Sequence, residues 1–343
     1  MIRFLACVSV MSVNAWMAGA TVAQVESDQH EAAEPVSDEV LEQERLIKIA
    51  IKEAGGEVTE ENGVVISIRL GRQELLDSMK DSAELIRSVR DLSRLRRLAL
   101  YHNWAQDEIL KEVTHLVQLE QLVLWDFDPR LTNAGIAQVK DMPNLDYLYI
   151  TNINGFRHSE PAAPAVTGEV LQTLGQMDQL TQLFLTTVPT SDEHLEYLSD
   201  MTQLDTLQLG VGSSDITPEG LSHLSGLTNL RRFGVQQANL NDETFDHLAF
   251  LTGIEDLMLT NADSENVFGD AAYDYLLDHE HITRVYIGPT TFSIDQMRRL
   301  LESREFERFM VQSNAVQAEQ IKALLEEYPG RKIWINNISH EDR

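Results

Sequence analysis

Cysteine is almost missing from this sequence. Cys7 is the only one among 343 residues, so an intrachain disulfide is excluded, and so are a zinc–thiolate site and a cysteine nucleophile further along the chain. Basic residues are also scarce. Lys and Arg number 27 against 55 Asp and Glu, a formal charge of −28. Phosphate contacts need clustered Lys and Arg, so general binding to DNA, RNA or anionic membrane is not expected. The same imbalance favours solubility and repulsion between copies. After the first two dozen residues, no stretch approaches the roughly 18 apolar residues of a transmembrane helix. HExxH, a phosphate loop, GxSxG and Ser-x-x-Lys are missing too, so the sequence points to no enzyme and to no cofactor.

What is present suits a folded protein: 43% of residues are hydrophobic and 24% charged, well away from the composition of a disordered chain. The start reads as an export signal, with Arg3, an apolar stretch, and small residues at Ala18-Gly19-Ala20 or Thr21-Val22-Ala23 for cleavage. Residues 1–23 are therefore expected to be a signal peptide, and the protein to be periplasmic, secreted or at the cell surface. Cleavage would remove Cys7. Residues 24–36 are acidic and polar and read as a linker. The segment 37–91 reads as an N-terminal cap with a lead-in. It holds a helix from Ser37 to Gly55-Gly56 and a strand-like run, GVVISIRLG, at 63–71.

Residues 92–336 repeat. Aligning each L-x-x-L-x-L-like hexamer by its fourth position gives Leu98, Leu122, Leu148, Leu183, Leu207, Phe233, Leu257, Val285, Phe309 and Ile333. The gaps, by subtraction, are 24, 26, 35, 24, 26, 24, 28, 24 and 24, which makes about ten units. A second pattern follows the hexamer, as in ITPEGLSHL (216–224) and FSIDQMRRL (292–300). A cap-type residue (Thr167, Thr217, Asn241, Ser293) precedes an acid by two, then apolar residues by four and seven. This predicts a short amphipathic helix with its own N-cap. One strand and one helix cannot bury their apolar faces alone, whereas stacked units can.

The hexamers and the segment LRRLALYHN (95–103) resemble the leucine-rich repeat family, and the unit length is similar to its ribonuclease-inhibitor-like subclass in exported bacterial form. The resemblance implies an α/β solenoid, a horseshoe with parallel strands on the concave face and short helices on the convex face. It also implies a recognition scaffold rather than a particular ligand. The extra length in the 35-residue gap, 155–165, carries Pro161 and Pro164 and reads as a loop beside the strand face. Residues 337–343 read as a polar tail.

Side chains flanking the inward pair should point to the concave surface. Arg97, Tyr147, Arg232, Arg284, Arg308 and Lys332 come just before the pair, and Tyr149, Phe184, Tyr286 and Trp334 within it. Tyr101 and Trp125 come just after. A protein of charge −28 thus gathers cations and aromatics on one face, which marks a contact surface. A protein or peptide partner, acidic in character, is the expected ligand; a glycan stacked on Trp125, Tyr149 and Phe184 is the alternative. DHEH (278–281) offers metal-ligand types and with them a third, weaker reading as a metal-dependent enzyme, but adjacent residues point different ways. NADSENVFGD (261–270) has alternating oxygens without the spacing of a calcium loop. No metal is expected.

Overall fold

The computed structural model describes residues 38–71, 79–125, 130–151 and 166–339. The expected signal peptide (1–23), the linker (24–36), the loop 155–165 and the last residues of the tail lie outside them. Two compact units divide the chain, 1–46 and 47–343. Of the first, the described part is the opening of helix α1 (Asp38–Glu53), where Arg45 pairs with Glu42 at 2.7 Å. All that follows concerns the second unit. Among the described residues no helix is long and apolar enough to cross a membrane.

The sheet begins with an antiparallel hairpin, β1 (Glu57–Glu61) and β2 (Val64–Leu70). Asn62 and Gly63 turn it, both at positive φ (52° and 82°), the geometry that Asn-Gly favours in two-residue hairpins. Strand β1 and helix α2 (Met79–Val89) were not anticipated; both fall in the segment read as cap and lead-in. From β2 onward every pairing is parallel and the strand order is the chain order. Five strands come first: β3 (Arg97–Tyr101), β4 (Gln121–Trp125), β5 (Tyr147–Thr151), β6 (Gln182–Leu185) and β7 (Thr206–Leu209). Then follow β8 (Arg232–Ala238), β9 (Asp256–Asn261), β10 (Arg284–Thr290), β11 (Arg308–Ser313) and β12 (Ile333–Ile335).

The ten aligned residues are in register. Leu98 pairs with Leu122, Leu122 with Leu148, and so on to Phe309 with Ile333. Across the 35-residue gap Leu148 still meets Leu183. Ile68 of β2 joins the same row ahead of Leu98. Every member of the row is buried, because a strand's alternate side chains share one face and this row faces the helices.

The helix side of each unit is short, as expected. Helix α3 (Asp107–Val113) is followed by the one-turn helices α4 (Asn133–Ile136), α5 (Leu171–Leu174), α6 (Asp192–Leu195), α7 (Pro218–Leu221) and α8 (Thr244–His247). The last three, α9 (Asp270–Asp278), α10 (Ile294–Ser303) and α11 (Ala318–Glu327), are fuller. The apolar residues ahead of the caps, Val166, Ile216, Leu240 and Phe292, are all buried.

Capping differs from the local expectation. Ser293 does cap its own helix, accepting from the Gln296 N–H at 3.3 Å. Thr217 instead bonds to the unit before it: its N–H and Oγ1–H both donate to the Asp192 carboxylate at 2.8 Å. Thr132 donates to Asp107 in the same two ways, at 2.8 and 2.7 Å. Thr167 and Asn133 exchange a reciprocal pair. The first helical residue of one unit therefore anchors the helix start of the next. The carboxylate also explains a glycine, because a Cβ at Gly220 would overlap the Asp192 side chain.

A second ladder runs along the return to the strand. The amides of Gln118, Asn144, Gln179, Gln203 and Asn229, each just before the first leucine of its hexamer, donate to carbonyls of Leu92, Val117, Met142, Met177 and Thr202 in the preceding unit.

Asp192→Ala is expected to lower stability by about 2–3 kcal/mol, because a charged acceptor of two bonds is lost between units. Gly220→Ala should also destabilise, and the double variant by less than the sum, since removing the carboxylate makes room for the new methyl. Chemical denaturation of the four proteins checks this. Strict additivity would mean the carboxylate does not occupy the glycine's space.

Candidate binding face

The face of the sheet turned away from the helices carries three rows. The row within the inward pair runs Ala99, Val123, Tyr149, Phe184, Gln208, Gly234, Met258, Tyr286, Met310 and Trp334. The leading row contains Arg97, Gln121, Tyr147, Gln182, Thr206, Arg232, Asp256, Arg284 and Arg308, with Lys332 next in sequence to β12. Tyr101 and Trp125 pair with each other in the trailing row. The structure thus brings the sequence-selected residues onto one face, as two groups.

The aromatic group lies over β3–β6. Tyr101 stacks on Trp125 at 5.9 Å between centroids, and Trp125 on Tyr149 at 5.5 Å with planes 10° apart. Phe184 closes the series against Tyr149 at 5.8 Å and Tyr147 at 5.1 Å. The Arg69 guanidinium sits 6.0 Å from the Tyr101 ring. The expectation of exposed anchors needs correction here. Tyr149 (1% exposed), Phe184 (3%) and, farther along, Tyr286 (5%) are closed off, because large side chains on adjacent strands pack against one another sideways. Burial also pushes the Tyr147 hydroxyl up to about 12 and that of Tyr149 higher still. Tyr101, Trp125, Tyr147 and Trp334 remain half exposed.

The charged group lies over β8–β11. Arg232, Asp256, Arg284 and Arg308 are direct lateral partners on four successive strands. Arg284 reaches Asp256 with Nη1 at 3.6 Å and Glu307 with Nε at 3.1 Å. The guanidinium groups of Arg232 and Arg308 make no hydrogen bond or ion pair among the described residues. Desolvation pushes Asp256 up to about 7, against the attraction of Arg284, Arg232 and Arg308, with Glu307 pushing the same way as burial. At the other end Arg97 donates to Gln121 Oε1 at 2.6 Å.

Two residues outside the set selected from the sequence complete this region. Gln208 is 2% exposed, and its Nε2 and Oε1 are both buried without a hydrogen bond among the described residues. Asp256 is 3% exposed and its Oδ1 is in the same condition. The Gln208 amide lies on the backbone of Gly234, where a Cβ would overlap it. The available signal was a Gln followed one unit later by a Gly in the same phase of the repeat.

The two metal-like segments are used otherwise. His279 Nδ1 lies 2.9 Å from the Tyr275 carbonyl, and its ring stacks on Tyr275 at 3.9 Å. Asp263 Oδ1 accepts from the N–H groups of Glu265 and Asn266, closing the 261–270 loop on itself. Among the described residues no group of three or more His, Cys, Asp or Glu is placed to hold a metal.

No family model matches the chain, and no curated protein is significantly similar to it in sequence. Solved structures are similar in arrangement. An internalin from Listeria monocytogenes is 14% identical with a TM-score of 0.45, over 82% of this chain and 79% of that one. The ectodomain of the Arabidopsis receptor kinase HAESA, solved with a peptide hormone ligand, is 14% identical with a TM-score of 0.41, over 74% of this chain and 45% of that one. Human trophoblast glycoprotein is 16% identical with a TM-score of 0.42, over 69% and 91%. At such values the likenesses carry nothing about function. The repeat decides the class by itself: with its hexamers in register on ten successive parallel strands, the chain is a leucine-rich repeat solenoid.

Proposed function

We propose that this protein is a non-enzymatic recognition scaffold, exported by its N-terminal segment, whose strand face binds a protein or peptide of acidic character. The observation that carries the reading is the leading row of β8–β11. Three arginines and one buried aspartate, Asp256, stand on four successive strands there in a protein of charge −28, and Arg232 and Arg308 make no hydrogen bond or ion pair among the described residues. Guanidinium groups that no side chain pairs directly are suited to an external counter-charge. Arg97 and Lys332 extend the cationic character at the two ends. Tyr101, Trp125, Tyr147 and Trp334 supply half-exposed apolar surface beside it, with Tyr149, Phe184 and Tyr286 as the packed layer that supports them. A glycan is the weaker ligand, because the ring faces of Trp125 and Tyr149 are already stacked on neighbours.

Kinetics against a peptide selected from an acidic library provide the test. Reversing Arg284 and Arg308 to glutamate should lower the association rate on the order of tenfold at low salt, and by less at high salt. Trp125→Ala should instead speed dissociation, at a cost of about 2 kcal/mol. Unchanged kinetics in both variants, with binding lost on replacing Glu193 and Glu219 of the helix side, would move the interface to the opposite face and overturn the reading.

A further inference from the structure

The unpartnered polar atoms on β7–β9 say more than that the face is cationic. A buried amide with neither its donor nor its acceptor engaged is rare in folded proteins, and so is a buried carboxylate oxygen that accepts nothing. Gln208 supplies the first and Asp256 the second, on the same face. Another amide is the direct complement of a primary amide, since each offers one N–H and one C=O to the other. Above about pH 7, where Asp256 is ionised, its oxygen is acceptor-only and calls for an N–H. The guanidinium groups of Arg232 and Arg308, unpaired among the described residues, call for a carboxylate. One ligand class carries all three: an acidic polypeptide in extended form.

The spacing agrees. The Gln208 amide lies over Gly234 on β8. Gly234 pairs with Met258, so Asp256 is one strand farther and two residues toward the strand start. With strands about 4.8 Å apart and a rise of about 3.3 Å per residue, the two groups are roughly 8 Å apart, the span of two to three residues of extended chain. Gly234 adds what main-chain reading requires, a place without a side chain where another backbone can come close. Binding has to swing the Gln208 side chain toward the ligand. That swing breaks no hydrogen bond, because the amide makes none among the described residues.

We infer that Gln208 and Asp256 form a main-chain reading site for an extended acidic peptide, with Gly234 as its floor and Arg232 and Arg308 holding the peptide's carboxylates. The inference rests on the strand-face reading above and names the chemistry of its ligand.

Two probes separate main-chain reading from simple charge attraction: a capped tetraglutamate, and butanetetracarboxylate, which has four carboxylates and no amide. Calorimetry with the full-length protein should show the peptide binding at least tenfold more tightly. Gln208→Leu should erase that margin while leaving the carboxylate affinity and the melting temperature in place. Arg232→Ala with Arg308→Ala should weaken both probes. Tetraglutamate N-methylated at its peptide nitrogens should lose the margin on the unaltered protein, a result independent of how any variant folds. Equal affinity for the two probes, with Gln208→Leu and N-methylation without effect, overturns main-chain reading and leaves the acidic-partner reading standing. Binding of neither probe, or binding indifferent to the arginine variants, overturns both.

Discussion

A chain that lacks residues 37–71 will aggregate, or will melt far below the full-length protein. Strand β2 is the lateral partner of β3 through Ser67–Arg97, Ile68–Leu98, Arg69–Ala99 and Leu70–Leu100. Without it the N–H and C=O groups of one side of β3 are unpaired, and an unpaired, apolar edge strand is a template for joining another chain. The loss of burial is as large a matter. Ile51, Val65, Ile68 and Leu70 are fully buried, and at about 1.5–3 kcal/mol for each such side chain the four account for roughly 6–12 kcal/mol. That is comparable with the whole stability of an ordinary domain, about 5–15 kcal/mol. Stacked repeats pass such a loss on to their neighbours, which is why terminal caps are needed for solubility. Size-exclusion chromatography with light scattering, together with a thermal melt, decides it. If the 72–343 fragment is monomeric and melts with the full-length protein, the segment is an appendage and not a cap.

The parts of this fold that were legible are those in which one residue type recurs at one phase. The row from Leu98 to Ile333 could be read straight through the 35-residue gap, because burial demands an apolar side chain at that position in every unit. The helix backs were legible for the same reason. Bonds between units were not. Thr217 looks like an N-cap for the residues that follow it, and only the structure places the Asp192 carboxylate, 25 residues back in the chain, on its N–H and hydroxyl. The Gln118–Asn229 amide ladder is visible as a Gln or Asn before the first leucine of five successive hexamers, yet its acceptors are backbone carbonyls, which leave no trace in a sequence. The turn at Asn62-Gly63 is carried by the Asn-Gly pair itself, both residues at positive φ. On the binding face, alternation told which side chains leave the core, but not whether neighbours close over them. Tyr149 and Trp125 are alike in that respect by sequence, and only one is buried. By sequence Asp256 is an acid set among the arginines of the leading row. In the structure it is the strip's buried centre, paired laterally with Arg232 and Arg284.

That position makes Asp256→Asn a stabilising change at neutral and alkaline pH. The carboxyl faces Arg284 at 3.6 Å, with Arg232 and Arg308 also attracting its charge and Glu307 opposing it. Attraction by itself would hold the group below its ordinary value of 3.8; burial outweighs it and raises the group to about 7. Since the folded state holds this proton more tightly than the unfolded chain, the group costs nothing below about pH 4, where both states are protonated. The cost grows as pH rises from about 4 to 7 and is complete above 7, where both states are ionised. Three units correspond to at most about 4 kcal/mol. The asparagine has no charge to desolvate, and Arg284 keeps Glu307 as a partner at 3.1 Å. The variant should therefore be more stable than the parent by about 2–4 kcal/mol at pH 8, and the difference should shrink to nearly nothing by pH 4. Taking the difference between the two proteins cancels the other raised carboxyl among the described residues, Asp146, which burial, joined by the charge of Glu120, lifts to about 6. Denaturant titrations of both proteins at four values between pH 4 and 8 give the curve. A variant less stable than the parent, and most so at pH 8, would show that the arginines outweigh desolvation, with Asp256 holding the strip together as an ion pair.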